Sequence, residues 1–308
     1  ISALRFPDFF ILGAPKCGTT TLFTALERHA GVFMPRKEPG ALSQDVESTK
    51  GSPSHFANLK NYSEVYARCP LGRVAGEATP RYLYSSDALS GIVRYRPDAK
   101  LIVALRDPID LVISYHAQKL REAREREPNF KTAWLRSVNR RTGQPISDSP
   151  HYDGAINYAF FARVGRHLAR WYDAFDPSAV QIVLLSEMKE DAREVYTRVL
   201  SHIGVADDGR TEFAAANERV VLRNVFLHQT TVRTAQALRP LLDPVRRWRG
   251  RSFGVMTAIN RVNVAATGGQ NGPAVSPEFR AFMQEAIADD VVLAERFLGG
   301  RRLQGNDP

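Results

Sequence analysis

Residues 11–21 read ILGAPKCGTTT, between the apolar run Phe9–Leu12 and a helical pattern that opens at Thr19. Gly13 and Gly18 have the spacing of a phosphate-binding loop. A strand, a glycine-rich turn and a helix start form an anion site, because the free backbone amides and the helix dipole face one point. Such a unit belongs at the carboxyl end of a buried strand, so it commits the chain to an α/β architecture. A nucleotidase loop puts lysine directly after the second glycine. Here Thr19 stands there and the lysine is Lys16, at the front of the loop.

The remaining pattern agrees. Asp8–Gly13, Arg73–Ala78, Lys100–Leu105 (KLIVAL) and Val180–Leu185 (VQIVLL) read as short buried strands, of the kind found in parallel sheets. Helices are expected over Thr19–His29, Asp87–Tyr95 and Asp191–Ile203, and from Asp107-Pro108, with Asp as cap and Pro at the first helical position. Threonine hydroxyls near the loop end are expected to cap the first helix. Ala155–Phe175 reads as one long amphipathic helix, and Ser276–Phe297 as another. Strands alternating with helices predict a central parallel β-sheet flanked by helices, in one domain over 1–308. Segments 121–153 and 206–275 are less regular and are expected to cover the acceptor or the nucleotide.

Composition narrows the ligand class. Lys and Arg number 42 against 33 Asp and Glu, a formal charge of +9 that favours anionic partners. Two cysteines, Cys17 and Cys69, exclude a disulfide framework, and the seven histidines show no metal-ligand spacing. No apolar run approaches the roughly 20 residues of a membrane span. Ile1 is not an initiator, so a segment trimmed upstream is compatible with the chain. No Asp follows Leu101–Leu105 where a magnesium carboxylate would stand; Arg106 does. A metal-free site that relies on positive charge suits a transferred group of low charge, and sulfuryl carries one negative charge fewer than phosphoryl.

Pro15-Lys16-x-Gly18-Thr19-Thr20 resembles the 5′-phosphosulfate loop of sulfotransferases that use 3′-phosphoadenosine 5′-phosphosulfate (PAPS). Arg106-Asp107-Pro108, with Ser114 eight residues after the arginine, resembles their 3′-phosphate motif. Lys37-Glu38-Pro39, Gly76-Glu77-x-Thr79-Pro80-x-Tyr82 and Ser276-Pro277-Glu278-Phe279-Arg280 resemble the heparan-sulfate-type and bacterial branch, so the likeness runs over about residues 8 to 300.

The resemblance implies a P-loop nucleotide-kinase-like fold, PAPS as co-substrate, adenosine 3′,5′-bisphosphate as product, and no metal. Lys16 would stabilise the leaving oxygen, and Lys16, Cys17, Gly18, Thr19 and Thr20 would line the 5′-phosphate. Arg106 and Ser114 would hold the 3′-phosphate, and Glu38 would be the general base. Glu77, Arg81 and His116 complete the set on the acceptor side, each with a structural reading beside it. Glu77 could pair near a strand end, Arg81 could pair with Glu77, and His116 lies two residues from Ser114, where helix neighbours face different sides. His55 and His151 are further candidates for the acceptor cleft, and Cys17 has packing as its alternative. This chain departs from the branch at Gly40-Ala41-Leu42 after Lys-Glu-Pro and at Ala78 after Glu77, and it lacks the late Lys-Gly-Arg loop. Arginines of 239–251, or Arg261, are the candidates expected to stand in for that loop.

The reading is an enzyme that moves sulfuryl to a hydroxyl or amine of a small-molecule, lipid or glycan acceptor, in a bacterial cytoplasm or as a lumenal domain trimmed of an anchor. A P-loop kinase-like phosphotransferase is disfavoured by Thr19 and the absent carboxylate. A nucleic-acid or anionic-polymer binder has only the charge behind it.

Overall fold

The computed structural model describes residues 4–46, 58–139, 146–213, 220–222, 264–266 and 275–303. Its centre is a parallel sheet of five strands in the order β2-β3-β1-β4-β7. These are β1 (Phe9–Gly13), β2 (Val32–Phe33), β3 (Val74–Ala78), β4 (Lys100–Leu105) and β7 (Val180–Leu184). Beside β1, Ile11 is in register with Ala78 and Ile102, and Gly13 with Ala104. This is the architecture the strand–helix alternation predicts.

Side-chain alternation along β1 splits the core in two. Phe9 and Ile11 face α1 (Thr19–Glu27) and α9 (Ala192–His202), where Leu22, Leu26, Val195 and Val199 are buried. Phe10 and Leu12 face the other layer, with Tyr62 of α2 (Leu59–Tyr66), Tyr82 and Trp171. A single period-2 strand thus feeds both faces of the sheet. Helix starts carry the caps their sequences advertise. Ser85 accepts from the Ala88 amide ahead of α3 (Ser86–Tyr95). Asp107 accepts from Ile109 and Asp110 ahead of α4 (Pro108–Arg121), and Asp191 from Glu194 ahead of α9. The polar stretch after α4 folds into α5 (Phe130–Leu135) and a small hairpin, β5 (His151–Tyr152) with β6 (Ala155–Ile156).

Two expected helices are each broken. Ala155–Phe175 becomes β6, α6 (Tyr158–Ala162) and α7 (Val164–Ala174), and the final helix becomes α10 (Pro277–Ala286) and α11 (Ala288–Glu295). One residue links the two breaks. The buried Asp290 of α11 accepts from the Gly165 and Arg166 amides at 2.7 and 2.9 Å, capping α7 from a distance. Gly165 fits because a Cβ there would lie 2.1 Å from the Asp290 carbonyl oxygen. Amphipathic period continues across both junctions, so sequence periodicity alone does not reveal them.

A short helix that the sequence reading did not place, α8 (Leu185–Glu190), follows β7 directly. Val220–Leu222 (β8) and Val264–Ala266 (β9) pair antiparallel. Among the described residues no helix is long and apolar enough to cross a membrane. His55, Arg261 and the arginines of 239–251 lie outside the described residues.

Candidate active site

The carboxyl ends of β3, β1 and β4 lie side by side, and each leads into one of the sequence motifs. At β1, Gly13 has φ 143°, and a Cβ on it would stand 2.2 Å from the Ala104 carbonyl oxygen. Only glycine lets the loop leave the sheet this close to β4. Gly18, at φ 81°, is the N-cap of α1 and supplies no side-chain cap. The expected threonine cap is therefore absent at this cap position; the Thr21 and Leu22 amides donate to the Gly18 carbonyl, which leaves the Thr19 and Thr20 amides as the ones placed to face a ligand. Leu185 and Met188 of α8 pack under Gly18, with atoms 3.1 Å from where its Cβ would be.

Thr19 is buried and Thr20 half-buried. Cys17 is fully buried in the core, its Sγ 3.6 Å from the Pro15 carbonyl. Burial pushes its thiol up to about 12, although the charges of Arg106 and Lys16 pull the other way. The Cys17 side chain is packing, and only its backbone can face a ligand.

At β4, Arg106 leans back across the loop. Its Nη1 donates to the Lys16 carbonyl at 3.4 Å, and its Nη2 stands 3.5 Å from Asp110 Oδ2. The side chain is only 11 % exposed, and its Nε is buried with no hydrogen-bond partner among the described residues. Arg280 of α10 shares Asp110 with Arg106, at 2.8 Å, and also reaches Asp107, at 3.3 Å. The Ser-Pro-Glu-Phe-Arg motif thus brings the C-terminal helices to the start of α4, a contact that the sequence motif did not assign. Ser114 is buried, the seventh residue of α4.

At β3, Lys37 forms an isolated bridge to Ala78, and the Glu38 amide donates to the Ala78 carbonyl at 2.8 Å. Glu38 has φ 55° and Lys16 φ 67°. Left-handed non-glycine residues cost on the order of 1–3 kcal/mol and persist where surrounding contacts impose them. The two residues expected to do chemistry are among the four non-glycine residues with positive φ among the described residues. Glu38 is 41 % exposed, and Lys37 Nζ lies 2.5 Å from its Oε1.

The acceptor-side candidates separate. Glu77 is fully buried, bonded to the Tyr62 hydroxyl and, at 2.6 Å, to Thr79 Oγ1. Desolvation raises its carboxyl above the usual range. It holds a tyrosine cage and meets no solvent. His116 is likewise 0 % exposed, with Nε2 at 2.7 Å from the Glu127 carbonyl and its ring edge-on to Phe130 and Tyr158. The structure keeps it in the core. Arg81 is half-buried, its Nε donating to Ser43 Oγ at 2.9 Å. His151 is half-buried near Lys119, whose charge adds to burial in lowering its pKa.

A glycine loop at a buried strand end, an uncapped helix N-terminus and a guanidinium across the loop define a nucleotide-binding α/β protein. The chain matches the sulfotransferase domain family over residues 6–217 and belongs to that family. It is 27 % identical over 201 residues to mouse heparan sulfate glucosamine 3-O-sulfotransferase 3B1, covering 65 % of this chain and 47 % of that protein. It is 28 % identical over 205 residues to human heparan sulfate glucosamine 3-O-sulfotransferase 6, covering 65 % and 53 %. The chain thus spans about half the length of these relatives. In fold it is similar to the crystal structure of a sulfotransferase from Alicyclobacillus acidocaldarius, with a TM-score of 0.57 and 22 % identity over 82 % of this chain and 99 % of that one.

Proposed function

We propose that the protein transfers a sulfuryl group from PAPS to a hydroxyl of a glycan acceptor. The observation that carries this is the loop itself. The α1 amides have no side-chain cap, Lys16 stands before them, and the buried Nε of Arg106 lacks a partner among the described residues. These residues fit a nucleotide with phosphate at both 5′ and 3′ positions. Gly18, Thr19 and Thr20 would hold the 5′-phosphate end, and Arg106 with Ser114 the 3′-phosphate. PAPS, when bound, would supply the sulfuryl group, a transferred group of low charge, and leave as adenosine 3′,5′-bisphosphate. Lys16 would place positive charge where the leaving oxygen becomes anionic. Glu38, exposed at the end of the β3 edge, would accept the acceptor's proton. The glycan class comes from the names of the relatives, and the exposed setting of Glu38 is compatible with a large acceptor.

Calorimetry with adenosine 3′,5′-bisphosphate in the absence of magnesium tests the nucleotide reading, with ATP plus magnesium as the rival ligand. Transfer of labelled sulfate from PAPS to a glycan mixture tests the reaction. Lys16→Ala should retain the fold and lose on the order of 10²–10³ in rate. Binding of ATP with magnesium but not of the bisphosphate would overturn the proposal.

A further inference from the structure

Asp110 stands between two guanidiniums, and they do not share it equally. Arg280 Nη1 donates to Asp110 Oδ1 at 2.8 Å, within the range of a charge-assisted hydrogen bond. Arg106 Nη2 stays 3.5 Å from Asp110 Oδ2, too far for one. Arg280 Nη2 also lies 3.3 Å from Asp107 Oδ1, the oxygen that accepts from the Ile109 and Asp110 amides and caps α4.

The charges show why the unequal sharing matters. Arg106, Asp107 and Asp110 together carry one net negative charge, which repels a phosphate, and Arg280 cancels it. Burial raises the Asp107 carboxyl, the Asp110 charge adds to the rise, and the Arg280 charge opposes it. Arg106 itself is held only by long contacts. Its Nη1 reaches the Lys16 carbonyl at 3.4 Å, and its Nε is buried with no partner among the described residues. A guanidinium placed in this way keeps donors for an oxyanion, whereas one closed bidentate on a carboxylate has spent them.

We infer that Arg280 is a positioning residue of the nucleotide site: by holding Asp110 and Asp107 it keeps their carboxylates from closing on Arg106, and so leaves that guanidinium available to a 3′-phosphate. This rests on the sulfotransferase reading above. Arg280 acts through the shared carboxylate, from a helix 170 residues after it, and it lies beyond residue 217, where the family match ends.

Calorimetry with adenosine 3′,5′-bisphosphate and adenosine 5′-phosphate, which differ only in the 3′-phosphate, reads the effect as a ratio of affinities. The parent protein should prefer the bisphosphate. Arg280→Gln should lower that ratio on the order of 10-fold, with adenosine 5′-phosphate bound as in the parent. Adding Asp110→Asn to Arg280→Gln should bring the ratio back towards the parent value, because the competing charge is then gone. A helix that merely failed to dock would not be rescued by that change. Asp110→Asn alone should keep or raise the ratio, and it tests the inference even if Arg280→Gln does not fold. Lys131→Gln removes a different contact to the same helix, an ammonium 5.2 Å from the Phe279 ring, and should leave the ratio unchanged. An unchanged ratio in Arg280→Gln, no recovery in the double variant, a fall in Asp110→Asn, or an equal fall in Lys131→Gln overturns the inference alone. A parent protein that binds both nucleotides equally, or neither, overturns the nucleotide reading and this inference with it.

Discussion

Replacing Gly13 by alanine should be far more damaging than the same change at Gly18, and the structure says by how much. At Gly13 the added Cβ meets backbone: the Ala104 carbonyl oxygen at 2.2 Å, its nitrogen at 2.8 Å and its carbonyl carbon at 3.0 Å. No side chain can rotate away, so β1 and β4 must part by about an ångström at the point where the Ala14 amide donates to the Ala104 carbonyl at 3.1 Å. A strained φ costs on the order of 1–3 kcal/mol, and a buried backbone group left unpaired about 1–3 kcal/mol more. The total, roughly 2–6 kcal/mol, is a large part of a typical domain's 5–15 kcal/mol. At Gly18 the neighbours are the flexible ends of Leu185 and Met188. There the cost is mainly the left-handed backbone, about 1–2 kcal/mol, with weakened nucleotide binding. Urea unfolding of both variants, followed by far-UV circular dichroism, makes the comparison. A Gly13→Ala protein within 1 kcal/mol of the parent, or less destabilised than Gly18→Ala, would refute the reasoning.

Three further outcomes are expected. Arg106→Ala should weaken adenosine 3′,5′-bisphosphate by on the order of 10- to 100-fold and adenosine 5′-phosphosulfate much less; calorimetry showing equal losses removes Arg106 from the 3′-phosphate site. Glu38→Gln should slow transfer by roughly 10²–10⁴ with nucleotide affinity kept; transfer at the parent rate, measured beside His151→Gln, would pass the role of base elsewhere. His167 is buried and lowered from 6.5 to about 3, by desolvation first and then by the Arg170 charge. Its folded pKa is depressed, so its contribution is present above pH 6.5 and is lost as pH falls from there towards 3, on the order of 5 kcal/mol in all. His167→Leu should flatten that acid limb of the unfolding curve, and an unchanged slope would show that other groups set it.

The strands and the loop were legible because their signals are local. KLIVAL is an unbroken apolar run with few other uses, and Pro15–Thr20 carries its turn in its own residue types. What escaped was non-local. Nothing in Ala155–Phe175 announces that the cap of α7 is Asp290, 125 residues away from Gly165. Nothing beside Glu38 announces that a Cβ on Gly40 would stand 1.9 Å from Arg81 Nη2. Glu77 and His116 looked like site residues because they sit in or near motifs, yet the alternation of β3 and the periodicity of α4 turn them inward. A motif fixes where a residue sits on an element, whereas the packing of the elements decides which side is wet.

The Asp290 cap has a consequence for how little of the chain can stand alone. The family match ends at residue 217, but α7 takes its first hydrogen-bond acceptors from Asp290, and the acidic pair beside Arg106 is gripped by Arg280. A ribosome that has just released residue 217 has therefore made a sulfotransferase signature without a finished helix α7 or the Arg280 grip on Asp107 and Asp110. The last two helices behave as a clasp, and the molecule closes only when its tail returns to the middle of its own sequence.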